Sequence, residues 1–131
     1  MANFTTDLKY AKTHEWLRLD GDVATIGITD FAQGELSDIV YVEITALGKT
    51  IKRDEPIGTI EAVKAVSDLY SPVSGQVTAA NDSLKDSPAT VNKDPYGAGW
   101  MAKIKMTDPA ELKNLLDAAA YEELARKSAH H

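Results

Sequence analysis

Lys64 lies in the stretch GTIEAVKAVSDLYSPVSGQV, residues 58–77, flanked by Ala62, Val63, Ala65 and Val66. Small and β-branched neighbours of this kind form a tight hairpin and leave a lysine amine unobstructed, within reach of a modifying enzyme. Lys52, Lys85, Lys103 and Lys105 stand in charged or alternating contexts, where a solvated surface accounts for them. The local sequence leaves Lys64 open between a modification site and an ordinary exposed turn lysine.

Other chemistry is sparsely supplied. The chain has no cysteine, which excludes disulfides, thiolate nucleophiles and cysteine-ligated zinc. Redox or thiol chemistry must therefore come on a cofactor. The histidines are His14 and the terminal pair His130 and His131, a poor metal site in a frayed end. His14 and Glu15 are adjacent, and strand alternation predicts opposite faces for them, which prevents joint action on one atom. Ser67, Ser71 and Ser74 have no sequence-visible histidine partner except His14, and none lies in a nucleophile-elbow context. Gly97-x-Gly99 lacks the rest of a phosphate-binding loop and reads as turn geometry. A self-sufficient enzyme is not expected.

The elements that must position Lys64 are mostly strands. HEWLRLDGDVATIGIT reads as two strands joined at Asp20-Gly21, since glycine accepts the positive φ of a tight hairpin. TDFAQGEL reads as one helical turn with Asp30 as N-cap. SDIVYVEIT resumes strand character, with Val40, Val42 and Ile44 on one face. From Leu47 to Val91 short strand candidates are cut by Pro56, Pro72, Gly75 and Pro88, and KRDEP (52–56) and LKDSP (84–88) hint at a duplicated unit. In WMAKIKM, Trp100, Ala102, Ile104 and Met106 alternate with outward Lys103 and Lys105. Trp16 and Trp100 read as core. The segment from 108 to 127 reads as a capped helix, with Asp108 as N-cap, Pro109 at its first position and an apolar stripe of Leu112, Leu115, Leu116 and Ala119. The whole chain, 1–131, is expected to form one domain, with a β-rich core over about 9–106.

The formal net charge is −6, and basic residues occur in ones and twos, so no stripe exists to track a phosphate backbone. Nucleic acid is not expected as a partner; basic patches on other proteins are. No apolar run approaches a membrane span, and MANFTTDLKY has neither a signal-type core nor an arginine-rich presequence. A soluble monomer of the bacterial cytoplasm is expected, or of the mitochondrial matrix for a processed chain.

Four separated stretches, KYAKTHEWLR, VATIGITDFAQGELSDIVYVE, EAVKAVSDLYSPVSGQV and VNKDPYGAGWMAKIK, resemble the H proteins of the glycine cleavage system, in the family's order. The resemblance implies a mainly β barrel-sandwich hybrid of the lipoyl- and biotinyl-carrier kind, with short helices and a C-terminal helix. It implies lipoic acid in amide linkage on Lys64, which supplies the sulfurs that the chain lacks. It also implies a cycle: a pyridoxal-phosphate glycine decarboxylase loads an aminomethyl group, a tetrahydrofolate-dependent aminomethyltransferase removes it, and a flavin dihydrolipoyl dehydrogenase reoxidises the dithiol. A lipoate ligase, or an octanoyltransferase with lipoyl synthase, would install the cofactor.

The family parks its loaded arm against the protein body. By position, Glu15, Thr13 and Asp68 are the expected cleft residues, since a cationic amine leaving water needs a carboxylate or other acceptors. Departures from the family pattern are Ala62 in place of serine, Thr90 in place of a larger aliphatic residue and Glu35 where some members carry histidine. Two related carriers fit less well. A 2-oxoacid dehydrogenase lipoyl domain would centre its hairpin on Asp-Lys-Ala, and a biotin carrier would flank the lysine with methionines. An H-like protein that relays lipoyl groups to other complexes is the remaining alternative.

Overall fold

Residues 8–128 are described in the computed structural model, and the terminal His130 and His131 lie outside them. Period-two alternation dominates that segment and produces nine strands among the described residues. These are β1 (Lys9–Tyr10), β2 (Glu15–Asp20), β3 (Val23–Ile28), β4 (Ile39–Ile44), β5 (Thr50–Ile51), β6 (Pro56–Ala62), β7 (Val66–Tyr70), β8 (Gly75–Ala80) and β9 (Ala102–Met106). They form two antiparallel sheets, ordered β1-β2-β3-β9-β8-β5 and β4-β6-β7. Leu17, Ala24, Ile26, Val77 and Ile104 of the larger sheet share one buried cluster with Val42, Ile57, Ile60 and Leu69 of the smaller. The architecture is the mainly β barrel-sandwich hybrid expected from the sequence.

A second apolar cluster lies beside the first. Trp16, Tyr10 and Tyr121 are fully buried there, while Trp100 packs against it only partly buried. Trp100 also precedes β9 instead of opening it, and Met101 is the buried residue of that pair. The expected alternation therefore holds only from Ala102 to Met106.

Several local expectations are corrected. The β2–β3 turn is Gly21-Asp22, because Asp20 pairs with Val23 and Gly21 takes φ +64° at the first turn position. In β4 the register shifts between Ile39 and Tyr41, so Val42 is buried while Val40 is 53% exposed. A bulge interrupts alternation, which is why Val40 does not share a face with Val42. The helix α1 (Asp30–Leu36) is capped by Thr29, whose hydroxyl accepts from the Ala32 amide at 3.1 Å; Asp30 lies inside it. No duplicated unit exists at 52–56 and 84–88. The first segment is a turn into β6, whereas the second overlaps α2 (Ser83–Asp86) and is followed by α3 (Thr90–Lys93).

The C-terminal segment is two pieces instead of one helix. Asp108 caps a 3-10 turn over Pro109–Asn114, and α4 spans Ala118–Ser128. Between them Leu115 is extended and Leu116 exchanges two backbone hydrogen bonds with Tyr10, at 2.7 and 2.8 Å. Pairing with β1 satisfies both backbone groups of Leu116 and covers the edge of that strand. Leu112 and Leu115 pack on the main core, Leu116 on the second cluster, and Ala119 is exposed.

Candidate functional site

Lys64 is displayed at the tip of the β6–β7 hairpin. Glu61 pairs with Val66, the Ala62 amide donates to the Ala65 carbonyl at 2.7 Å, and the Val63 amide donates to the Asp38 carbonyl at 3.0 Å. The last bond fixes the tip to the entry of β4. Val63, Lys64, Ala65 and Val66 are all exposed, so small and β-branched residues hold the turn while the amine stands free of cover.

From that tip β7 carries Ser67 and Asp68 along one wall of a cleft of about 340 Å³. Strand rise places Asp68 on the order of 10 Å from the tip. The opposite wall is α1, which turns Phe31, Ala32, Glu35 and Leu36 toward the cleft, and Thr13, His14 and Glu15 close its end. Thr13, Glu15 and Asp68, named from the sequence, are thus brought into one cavity.

Glu15 is 2% exposed. The Thr13 hydroxyl donates to its Oε1 by a short hydrogen bond, and the Tyr70 amide donates to Oε2 at 3.3 Å. Both donors favour the carboxylate, but burial outweighs them and pushes its pKa up to about 8. A cation brought beside it would restore the charged form.

His14 overturns the expectation that it and Glu15 point apart. It takes φ +75° and so is not extended. Lys12, Thr13 and His14 form a three-residue loop between β1 and β2, closed by the Ala11 amide on the Glu15 carbonyl at 2.9 Å. The last residue of such a loop adopts the left-handed conformation, usually as glycine. Histidine there turns its ring into the same cleft as Glu15. Its Nδ1 lies 2.7 Å from the Tyr121 hydroxyl of α4, which lies 2.6 Å from the Thr29 hydroxyl. Nothing in the local sequence signals a left-handed histidine, and α4 is more than a hundred residues away, so this part of the site was missed.

A family model described as glycine cleavage H-protein matches residues 8–128. The chain belongs to that family. An H protein of Symbiobacterium thermophilum is 50% identical over 127 residues, covering 97% of this chain and 99% of its own. Another, of Chlorobium luteolum, is 56% identical over 124 residues, covering 93% and 97%. Among solved structures, a glycine cleavage system H protein from Mycobacterium marinum superposes with a TM-score of 0.83 at 37% identity, covering 92% of this chain and 97% of that one. The shuttle role in glycine cleavage goes with membership of the family. No helix among the described residues is long and apolar enough to cross a membrane.

Proposed function

We propose that Lys64 carries lipoic acid in amide linkage and that the whole chain, 1–131, acts as one lipoyl-carrier unit without catalytic residues of its own. The observation that carries this reading is the placement of an exposed lysine at a hairpin tip whose second strand leads into the acidic cleft. The residues present fit such a group. Ile28, Phe31 and Leu36 offer apolar wall to an aliphatic chain, while Glu15, Glu35 and Asp68 offer carboxylates to a cationic end. Bound lipoic acid would supply the sulfurs on which the aminomethyl group of glycine is carried.

Glu15 is the strongest candidate for holding the amine of that load. Buried and supported by Thr13 and Tyr70, it gains most from a cation that ends its isolation. Asp68 and Thr13 complete the polar end of the cleft. The dock must be weak, because whatever holds the arm must be overcome when a partner extracts it. A tether makes weak docking sufficient, since the contact is intramolecular.

The partners in this reading are the pyridoxal-phosphate decarboxylase, the tetrahydrofolate-dependent aminomethyltransferase and the flavin dihydrolipoyl dehydrogenase. A lipoate ligase, or an octanoyltransferase with lipoyl synthase, installs the cofactor. The bacterial relatives support a bacterial cytoplasmic protein, and we place it there as a monomer.

Incubation with lipoate, ATP and a lipoate ligase, followed by intact and peptide mass measurement, tests the attachment. One lipoyl adduct is expected on the peptide containing Lys64, and none in Lys64→Arg. An unmodified wild-type chain, beside a known acceptor modified in parallel, would remove Lys64 from the proposal.

A further inference from the structure

His14 is hydrogen-bonded to Tyr121 through Nδ1 and belongs to no role described so far. Its Nδ1 is held by Tyr121, and its ring is stacked at a tilt against Phe31, with centroids 5.1 Å apart. Thr29, at the head of α1, is fully buried; its hydroxyl accepts from the Ala32 amide and lies against the Tyr121 hydroxyl. A buried hydroxyl proton needs an acceptor. If Thr29 donates to Tyr121, the Tyr121 proton is directed to His14 Nδ1. That assignment serves all three groups, and it leaves His14 with its remaining proton on Nε2, on the side of the ring away from Tyr121.

We propose that Tyr121 is a positioning residue for the loaded arm: it occupies the basic nitrogen of His14, so that the cleft receives an N–H donor and not a base. This rests on the reading of Lys64 and the cleft given above. A carbon held between sulfur and an amine is lost when the amine lone pair expels the sulfur. Water then takes the carbon as formaldehyde and the nitrogen as ammonia, and the sulfur leaves as a thiol. An ammonium has no lone pair to give. Glu35 and Asp68, and Glu15 once a cation beside it has restored its charge, favour the ammonium, whereas an imidazole with a bare Nε2 in the same cleft would accept its proton. The groups around His14 are Tyr121 from α4, Phe31 and Glu35 from α1, Thr29, and Thr13 and Glu15 at the cleft end. Burial holds the His14 pKa below its ordinary value while the Glu35 charge opposes this. The neutral ring that the hydrogen-bond chain requires is thus the favoured form near pH 7. The left-handed φ of +75° at His14 is the backbone cost of this placement.

The ring nitrogens can be read directly. In the full-length unmodified protein labelled with nitrogen-15, long-range proton–nitrogen correlation near pH 7 should show a neutral His14 protonated at Nε2, assigned by the signals lost in His14→Gln. A predominantly Nδ1-protonated or doubly protonated ring would overturn the proposal, and because no lipoate is involved, that failure is separate from a failure of Lys64 to be modified. In lipoylated protein loaded from glycine, Tyr121→Phe should release formaldehyde on the order of five-fold faster. Tyr121→Phe/His14→Gln keeps a side-chain donor and has no ring base, so release should return close to the wild-type rate. If the double variant leaks as fast as Tyr121→Phe, Tyr121 serves only to hold α4, and the proposal fails.

Discussion

Glu15 is a carboxyl group that the fold keeps from water, and its consequences at the scale of the residue are measurable without any partner. Its pKa is raised from 4.5 to about 8, first by burial and further by the charge of Asp54, against the hydrogen bonds from Thr13 and Tyr70. In that window the folded protein keeps a proton that the unfolded chain has released. The folded state therefore binds more protons, and its stability falls as pH rises from about 4.5 to about 8. Urea unfolding near pH 5 and near pH 8 should show this loss in wild type, and a distinctly smaller loss in Glu15→Gln, which keeps the shape and cannot ionise. Equal losses in the two proteins would mean that Glu15 is ionised throughout. Glu15→Gln should also retain the loaded amine less well, measured as faster formaldehyde release. Lys64 was singled out by its small and β-branched neighbours, and the resemblance to H proteins turned it into an expected attachment site and named Glu15 by position. The direction of His14 was not legible, because it depends on a positive φ that only the closed β1–β2 loop imposes.

At the scale of elements, the cleft exists only if α1 stays at a fixed distance from β7, and one side chain secures its far end. Asn92 of α3 donates to Gln33 Oε1 at 2.9 Å and to the Ser37 carbonyl at 2.8 Å, and accepts from the Ile39 amide at 3.0 Å. It thereby joins the end of α1 to the start of β4, whose entry also receives the hairpin tip at Asp38. Asn92→Ala leaves those groups to water or to nothing, and is expected to cost about 2 kcal/mol in chemical denaturation. An unchanged unfolding midpoint would show that α1 is held by its apolar face alone. The helical turns that lead to Asn92 were read, as far as Val91, among short strand candidates, because proline and serine punctuation there resembles the punctuation between strands. The C-terminal break was equally invisible: Asp108 and Pro109 do start a helical turn, but the stop is set by Leu116 pairing with β1, a tertiary contact that no local signal encodes. Strand alternation was the dependable signal, failing at His14, at the β4 bulge and ahead of β9.

On the scale of the whole molecule, charge is distributed unevenly along the chain. No lysine or arginine lies between Arg18 and Lys49, and Lys64 is the only one between Arg53 and Lys85. Those spans contain α1, β4 and the β6–β7 hairpin, with Glu35, Asp38, Glu43, Glu61 and Asp68. The elements that display Lys64 and wall the cleft are therefore acidic, and amide formation on Lys64 removes the one lysine charge on them. Exposed Val40, Tyr41, Val63 and Val66 lie on the same elements, so a partner reaching the hairpin meets apolar contact beside acidic groups. Charges of this kind act mainly on encounter and orientation, and salt screens them over about 10 Å at 0.1 M. For the decarboxylase proposed above, raising ionic strength from about 50 to about 300 mM should raise the KM for the lipoylated protein several-fold while kcat stays nearly constant. A kcat that falls with KM unchanged would place the charge dependence after docking, in the transfer itself. A KM indifferent to salt would assign docking to the exposed valines and Tyr41, and Val66→Asp should then raise KM more than any loss of an acidic residue does.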